Sequence, residues 1–277
     1  GASKKDYSPS TSFGHISDSD YIADQIDFDS LKNSRLSRSI GSHKKNIQLS
    51  YNKIRTYEFC PLAYKYSYVW NLKTVRIGGL EYGSNIHKIL EVILKAVKNG
   101  HSIDKIDVDN VINSTWRNTH FRSAKENLKY KAAATKQIKL FVSNNYSALV
   151  PEKIFSVEEK FNILVNDTVI TGRFDLVLKN QSTALLIDFK TGDEKDYSSQ
   201  LSFYSLCFKQ KYDGSNLELA IYYLKSGSQV SVQANDESIE LNKIRHVTKM
   251  INDEIFPATP GKHCSDCSFT SVCKDSF

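Results

Sequence analysis

Two aspartates and a lysine stand where an apolar sequence would hold none. Asp175 falls within the strand-like run that includes Gly172-Arg-Phe-Asp175, and Asp188 and Lys190 close the run Leu185-Leu-Ile-Asp188-Phe-Lys190. Strand side chains alternate between faces, so Asp188 and Lys190 share one face and Phe189 takes the other. Charges at the end of a buried strand are costly unless they are paired or bound to metal. Two carboxylates on neighbouring strands offer hard oxygen ligands to Mg2+, with positions left for water and a phosphate oxygen. The lysine is placed to orient or help deprotonate the attacking water and to offset phosphate charge. The blander reading is a strand-end ion pair with Asp175 in a turn, and a D-x-K tripeptide alone does not exclude it.

A second set of residues has metal-ligand spacing. Cys264, Cys267 and Cys273 form C-x2-C-x5-C near the C-terminus. A C-x2-C turn aims two thiolates at one centre, so the trio reads as metal ligation. Disulfides suit three close cysteines poorly in a chain without a secretion signal. A fourth ligand is needed. Cys207 lies in a helical stretch between Phe203 and Phe208 and reads as a core thiol, whereas Cys60 precedes Pro61 at a helix break where a side chain can be presented outward. Four thiolates suit zinc and an iron–sulfur cluster alike, and spacing does not separate them.

These residues need elements to hold them. Residues 1–46 are rich in Ser, Asp, Lys and Gly without a sustained period and read as a flexible leader, with order expected over 47–277. Ser50 is an expected N-cap for a helix carrying Tyr51, Ile54 and Tyr57, and Pro61 opens another running to Trp70. An amphipathic helix over 80–98 carries Ile86, Leu90, Ile93, Leu94 and Val97 on one side, with Gly100 ending it. Further helices are expected over 106–119 and 124–148, within a helical insertion of about residues 100–150. Then the texture changes: 153–164, 168–179 and 184–190 are β-type runs, followed by a helix over 196–210, strands at 217–225 and 229–234, and a helix over 237–254. Residues 257–275 form a C-terminal cysteine segment. Helices, a strand meander, a helix and another strand imply an α/β domain.

Composition sets the frame. The 277 residues, 40% hydrophobic and 25% charged, describe a globular chain with a sizeable core. No apolar run reaches the roughly 18 residues of a membrane span, and no secretory signal is legible, so an intracellular location is expected. The net charge of +6 leans towards a polyanionic partner. The chain opens on Gly1-Ala2-Ser3 and its one methionine is Met250, which fits a domain taken from a longer polypeptide.

The order of short motifs resembles the RecB-type branch of the PD-(D/E)XK nucleases. Gly172-Arg-Phe-Asp175 is similar to that family's G-h-h-D strand, Asp188-Phe-Lys190-Thr-Gly192 to its D-h-K-T-G strand end, and Gln200-Leu-Ser-Phe-Tyr204 to its Q-h-x-x-Y helix. Gly83-Ser-Asn-Ile-His87 is similar to its G-x-x-x-H helix, and Cys60-Pro61-Leu-Ala-Tyr64 with the terminal C-x2-C-x5-C to the cysteine pattern of the AddB kind. Together these cover residues 48–275. The resemblance implies a restriction-endonuclease-like core, a mixed central sheet flanked by helices. It implies that His87, Asp175, Asp188 and the Phe189 carbonyl hold Mg2+ or Mn2+ and that Lys190 serves the water. Taken alone, a histidine on an amphipathic helix is more often structural. Gln200 and Tyr204, at i, i+4 spacing on one helix face, are implied to support the lysine and contact substrate. Glu158 or Glu159 is similar to an acid the family carries one strand earlier, and alternation admits only one of them. Cys60, Cys264, Cys267 and Cys273 are implied to hold a 4Fe–4S cluster that staples the first helices to the tail.

The expected activity is hydrolysis of DNA phosphodiesters, in single strands, as an exonuclease or as a nuclease joined to a helicase of the UvrD or AddB kind. Stand-alone relatives, such as single-strand exonucleases and CRISPR-adaptation nucleases, share the cysteine pattern. Two other classes compete: a nuclease fold that has lapsed into a DNA-binding or bracing module, and a zinc-stapled protein-interaction domain. The complete set of acids, lysine and histidine speaks against the first, and iron analysis separates the second.

Overall fold

The computed structural model describes residues 47–74, 78–145, 148–180, 183–212 and 216–276, so the leader expected over 1–46 lies outside the described residues. The chain begins with a two-residue strand, β1 (Gln48–Leu49), and then α1 (Tyr51–Phe59), capped by Ser50 through its side chain and Lys53 N–H. Cys60 adopts extended backbone at the break, and Pro61 opens α2 (Pro61–Tyr64), which runs on as a π-helical turn over Lys65–Val69. Three helices follow: α3 (Gly78–Lys98), α4 (Val108–Thr115) and α5 (Ala124–Asn145). Next come β2 (Ile154–Val165), β3 (Thr168–Asn180), β4 (Thr183–Lys190), α6 (Ser198–Lys211), β5 (Asn216–Tyr223), β6 (Ser228–Val232) and α7 (Glu237–Asn252). No described helix is long and apolar enough to cross a membrane.

The strands make one mixed sheet in the order β1-β3-β4-β5-β6, with β2 also paired to β3. β2, β3 and β4 are an antiparallel meander, β4 and β5 are parallel through the α6 crossover, and β6 returns antiparallel. A strand has two edges, and β2 occupies one edge of β3 along most of its length. The other edge is shared: β1 pairs with Val169 and Ile170, and β4 begins only at Leu176. The five residues Thr171 to Asp175 therefore face a gap in the sheet on that edge.

Two layers cover the sheet. On one face α1, α6 and α7 bury Ile54, Leu201, Phe203, Phe208, Ile244 and Val247 against Phe161, Ile170, Phe174 and Leu186. On the other, α3, α4 and α5 bury Ile86, Leu90, Ile112, Ile138 and Phe141 against Leu176, Ile187, Phe189 and Tyr222. The helices between residues 100 and 150 thus share their core with the sheet. Burial of this kind contributes about 25 cal/mol per Å2 of apolar surface, which is what makes a rigid frame for buried charge.

Candidate active site

The register brings three acids to one level across three strands. Val157 pairs with Leu176 and Glu159 with Phe174, so Glu158 lies opposite Asp175. Leu176 pairs with Ile187, so the next residue on each strand sets Asp175 opposite Asp188. There the β3–β4 ladder stops. The Phe189 N–H donates to Asp175 Oδ2 at 2.9 Å, a carboxylate taking the place of a backbone acceptor. Strand geometry sends the carbonyl of one residue to the same edge as its N–H, so the Phe189 carbonyl faces this opening as well.

From the α3 face, His87 reaches in. Its Nδ1 lies 3.2 Å from Glu158 Oε1 and 3.5 Å from Asp175 Oδ1. Burial pulls the imidazole pKa down, but the Asp175 charge and hydrogen bonds to Asp175 and Glu158 outweigh it and raise it to about 10. Burial also opposes ionisation of Asp175, yet His87, the Phe189 N–H and Lys190 hold its carboxyl below the usual range. One ligand atom from each of His87, Glu158 and Asp175 lies within 4.8 Å of the others. Glu158 is the acid that faces the site. Glu159 points to the opposite face and bonds Lys211 Nζ at 2.6 Å and the Tyr212 hydroxyl.

From the other face, Asp188 and Lys190 point together towards α6. Lys190 Nζ is 2.6 Å from Asp188 Oδ2, donates to Gln200 Oε1 at 2.8 Å, and sits 4.4 Å over the Tyr197 ring. Gln200 Nε2 donates to Asp188 Oδ1 at 3.3 Å and to the Tyr204 hydroxyl at 3.2 Å. Burial, and then the charge of Asp175, push the Asp188 carboxyl up to about 6 in spite of Lys190. Burial and the charges of Asp188 and Asp175 also raise Tyr204, so its phenol stays protonated. Asp188 is therefore turned to the lysine, while the imidazole gathers Asp175 and Glu158.

The donor set suits a hard divalent cation: carboxylate oxygens, a carbonyl at the strand opening and one imidazole. Two buried oxygens, Asp188 Oδ2 and Glu158 Oε2, meet the Lys190 and Arg173 cations without an aligned hydrogen bond, which leaves both with lone pairs for a further cation. Two neighbours were not singled out in the sequence. Arg173, two residues before Asp175, places Nε 2.5 Å from Glu158 Oε2. Tyr197 stands at the N-cap position of α6, and its ring lies under the lysine. Both sit at distances that strand and helix periodicity permits, but their types alone carry no signal of the role.

The cysteines meet elsewhere. Cys60, Cys264, Cys267 and Cys273 are free thiols and line a single cavity, with Tyr66, His263 and Phe269 in its wall. Leu62 N–H donates to the Pro257 carbonyl at 3.2 Å, and the Tyr66 and Phe269 rings pack at 5.3 Å, so α2 and the tail are already joined there. Cys207 is a buried thiol whose pKa burial raises, as a core residue would be.

Three acids, an imidazole and a lysine thus meet at one end of the sheet, framed by helices on both faces, in a donor set that suits a divalent cation. The chain belongs to the PD-(D/E)XK nuclease superfamily, whose sequence profile matches residues 48–274. Among the curated proteins, none matches the chain. The chain is similar to the solved structure of SSO0001, at 15% identity and a TM-score of 0.38, over 89% of this chain and 95% of that one.

Proposed function

We propose that this chain is a Mg2+- or Mn2+-dependent deoxyribonuclease of the RecB type, acting on single strands as an exonuclease or within a helicase assembly. The observation that carries the proposal is the network around Lys190, set at the sheet opening beside His87, Asp175 and Glu158. His87, Asp175, Asp188 and the Phe189 carbonyl would hold the metal, with Glu158 as a further acid. A bound divalent ion polarises the scissile phosphate and lowers the pKa of water. Lys190 has three ammonium protons, and Asp188 and Gln200 engage two, which leaves one for the attacking water or a phosphate oxygen. Gln200 fixes that geometry by accepting from the lysine while donating to Asp188 and Tyr204.

The test is digestion of 5′- and 3′-labelled single-stranded DNA, beside a circular substrate, with Mg2+ or Mn2+. Wild type should cleave and Asp188→Ala should lose about a thousandfold or more, the scale of removing a principal group of the site. Equal cleavage by both would remove the assignment. Binding without cleavage under either metal would favour the lapsed, DNA-gripping alternative. The circular substrate reports whether an end is required.

We further propose that Cys60, Cys264, Cys267 and Cys273 hold a 4Fe–4S cluster, a reading that rests on the cysteine pattern and has zinc as its alternative. All four of these cysteines line one cavity. A cluster there would close a loop of about two hundred residues between Cys60 and the tail, so that binding energy becomes folding energy. Cys267→Ala should lose the yellow-brown absorbance and melt at lower temperature. A colourless wild type that carries zinc at one equivalent would overturn the cluster.

A further inference from the structure

Beyond Glu158 and Asp175, part of the sheet is left bare. The inward residues of the β2–β3 hairpin, Phe161, Val165, Ile170 and Phe174, lie in the α6–α7 core. Their neighbours point the other way, and the register sets Lys160 opposite Arg173 and Asn162 opposite Thr171. The α3 layer packs on the sheet at the level of Val157, Leu176 and Ile187. Lys160, Asn162 and Arg173 are exposed. The helix that carries His87 therefore stands at the border of an open strand floor.

Lys160 and Arg173 are the first cross-strand pair of that floor beside the metal-ligand trio. Like charges directly opposite each other destabilise a strand pair, so folding gives no reason for them. Arg173 reaches Glu158 through Nε, while 49% of its side chain is open. Its terminal nitrogens, the part of the guanidinium fork that matches a phosphate, remain for another acceptor. Lys160 has no ion-pair partner among the described residues, and its exposed ammonium lies on the same face.

We propose that Lys160 and Arg173 form a binding step for the phosphate next to the scissile one, so that a nucleic-acid strand runs from the metal site over the outer face of the β2–β3 hairpin. This rests on the nuclease reading and assigns its substrate a path. Both residues neutralise phosphate without reading bases, so they bind any sequence and their contribution falls with salt. Arg173 also couples the step to the metal site, because the guanidinium that meets the phosphate holds Glu158 from its other side.

The experiment is steady-state cleavage of a labelled single-stranded oligonucleotide over a range of salt, for wild type, Lys160→Ala, Arg173→Ala and the control Lys249→Ala. Lys249 is exposed on α7, which packs against the opposite face of the sheet. Lys160→Ala and Arg173→Ala should each raise KM about tenfold, the scale of one hydrogen bond to a charged group. The kcat of Lys160→Ala should stay within about twofold, and each variant should flatten the plot of log KM against log salt by about 0.7. Lys160→Ala carries the decision, since its side chain is exposed and has no part in the metal trio. If it cleaves with wild-type KM and salt slope, or if Lys249→Ala shifts both equally, the path is wrong while the nuclease reading stands. A wild type that neither binds nor cleaves the strand overturns both.

Discussion

Glu158 sits in the middle of a strand with a φ of 51°. A side chain in that left-handed region costs about 1–2 kcal/mol, and such strain persists only where the surroundings fix it. Here its effect is to switch the face on which side chains point. Val157 lies in the α3-side core, whereas Phe161, four residues on, lies in the α6-side core, which regular alternation forbids. This is why Glu158 and Glu159 could not be told apart in the sequence: the rule that admits only one of them does not say where the strand breaks phase. The two residues now make opposite predictions. Glu158→Ala should weaken Mn2+ binding by about tenfold or more, measured by calorimetry, and lower cleavage with it. Glu159→Ala removes a partner of Lys211 and Tyr212, so it should cost about 1 kcal/mol of stability and leave Mn2+ affinity as it is. The reverse pattern would make Glu159 the ligand.

At the level of elements, the strand and helix periods were legible because each has a buried face. The expected helix over 80–98 is α3, and the run expected at 184–190 is β4 with Asp188 and Lys190 on one face. What the periods could not convey is pairing. The gap on the edge of β3 exists because β1 and β4 share that edge, and no local pattern announces a shared edge. The role of Arg173 was hidden likewise, since its partner lies across the sheet. Gly172 shows the opposite case, a residue whose reason appears only in the packing. It stands opposite Phe161, and a Cβ built there would lie 2.3 Å from the ring, which stacks on Phe174 at 4.5 Å. Gly172→Ala must push that ring out of the α6-side core. It should cost about 1–3 kcal/mol in a denaturant titration, as overpacked cores do. Because Arg173 and Asp175 follow directly, cleavage should fall as well, in protein that is still folded. A variant with unchanged stability would mean that the ring has room to move.

For the whole molecule, the gathered charges tie stability, metal and pH together. In the metal-free protein His87 holds its proton up to about 10, against an ordinary 6.5, and Asp188 holds its own up to about 6, against 3.8. The folded state therefore binds more protons than the unfolded state in both windows, and stability falls as pH rises through them. The Asp188 part is present below about 4 and lost towards 6; the His87 part is present below about 6.5 and lost towards 10. Asp175, held low, acts in the other direction, but its contribution is complete above its ordinary pKa of 3.8 and does not vary at neutral pH. If His87 is a ligand as proposed, a divalent ion would take the place of its proton, so binding at pH 7 to 9 should release about one proton and tighten as pH rises. Melting temperatures in EDTA should accordingly fall from pH 6.5 to 9, whereas saturating Mg2+ should flatten the fall. His87→Ala should flatten it without metal. Calorimetry in buffers of different ionisation heat counts the proton directly. Parallel melting curves with and without Mg2+, and no proton released, would place the cation away from His87 and return the histidine to a structural role.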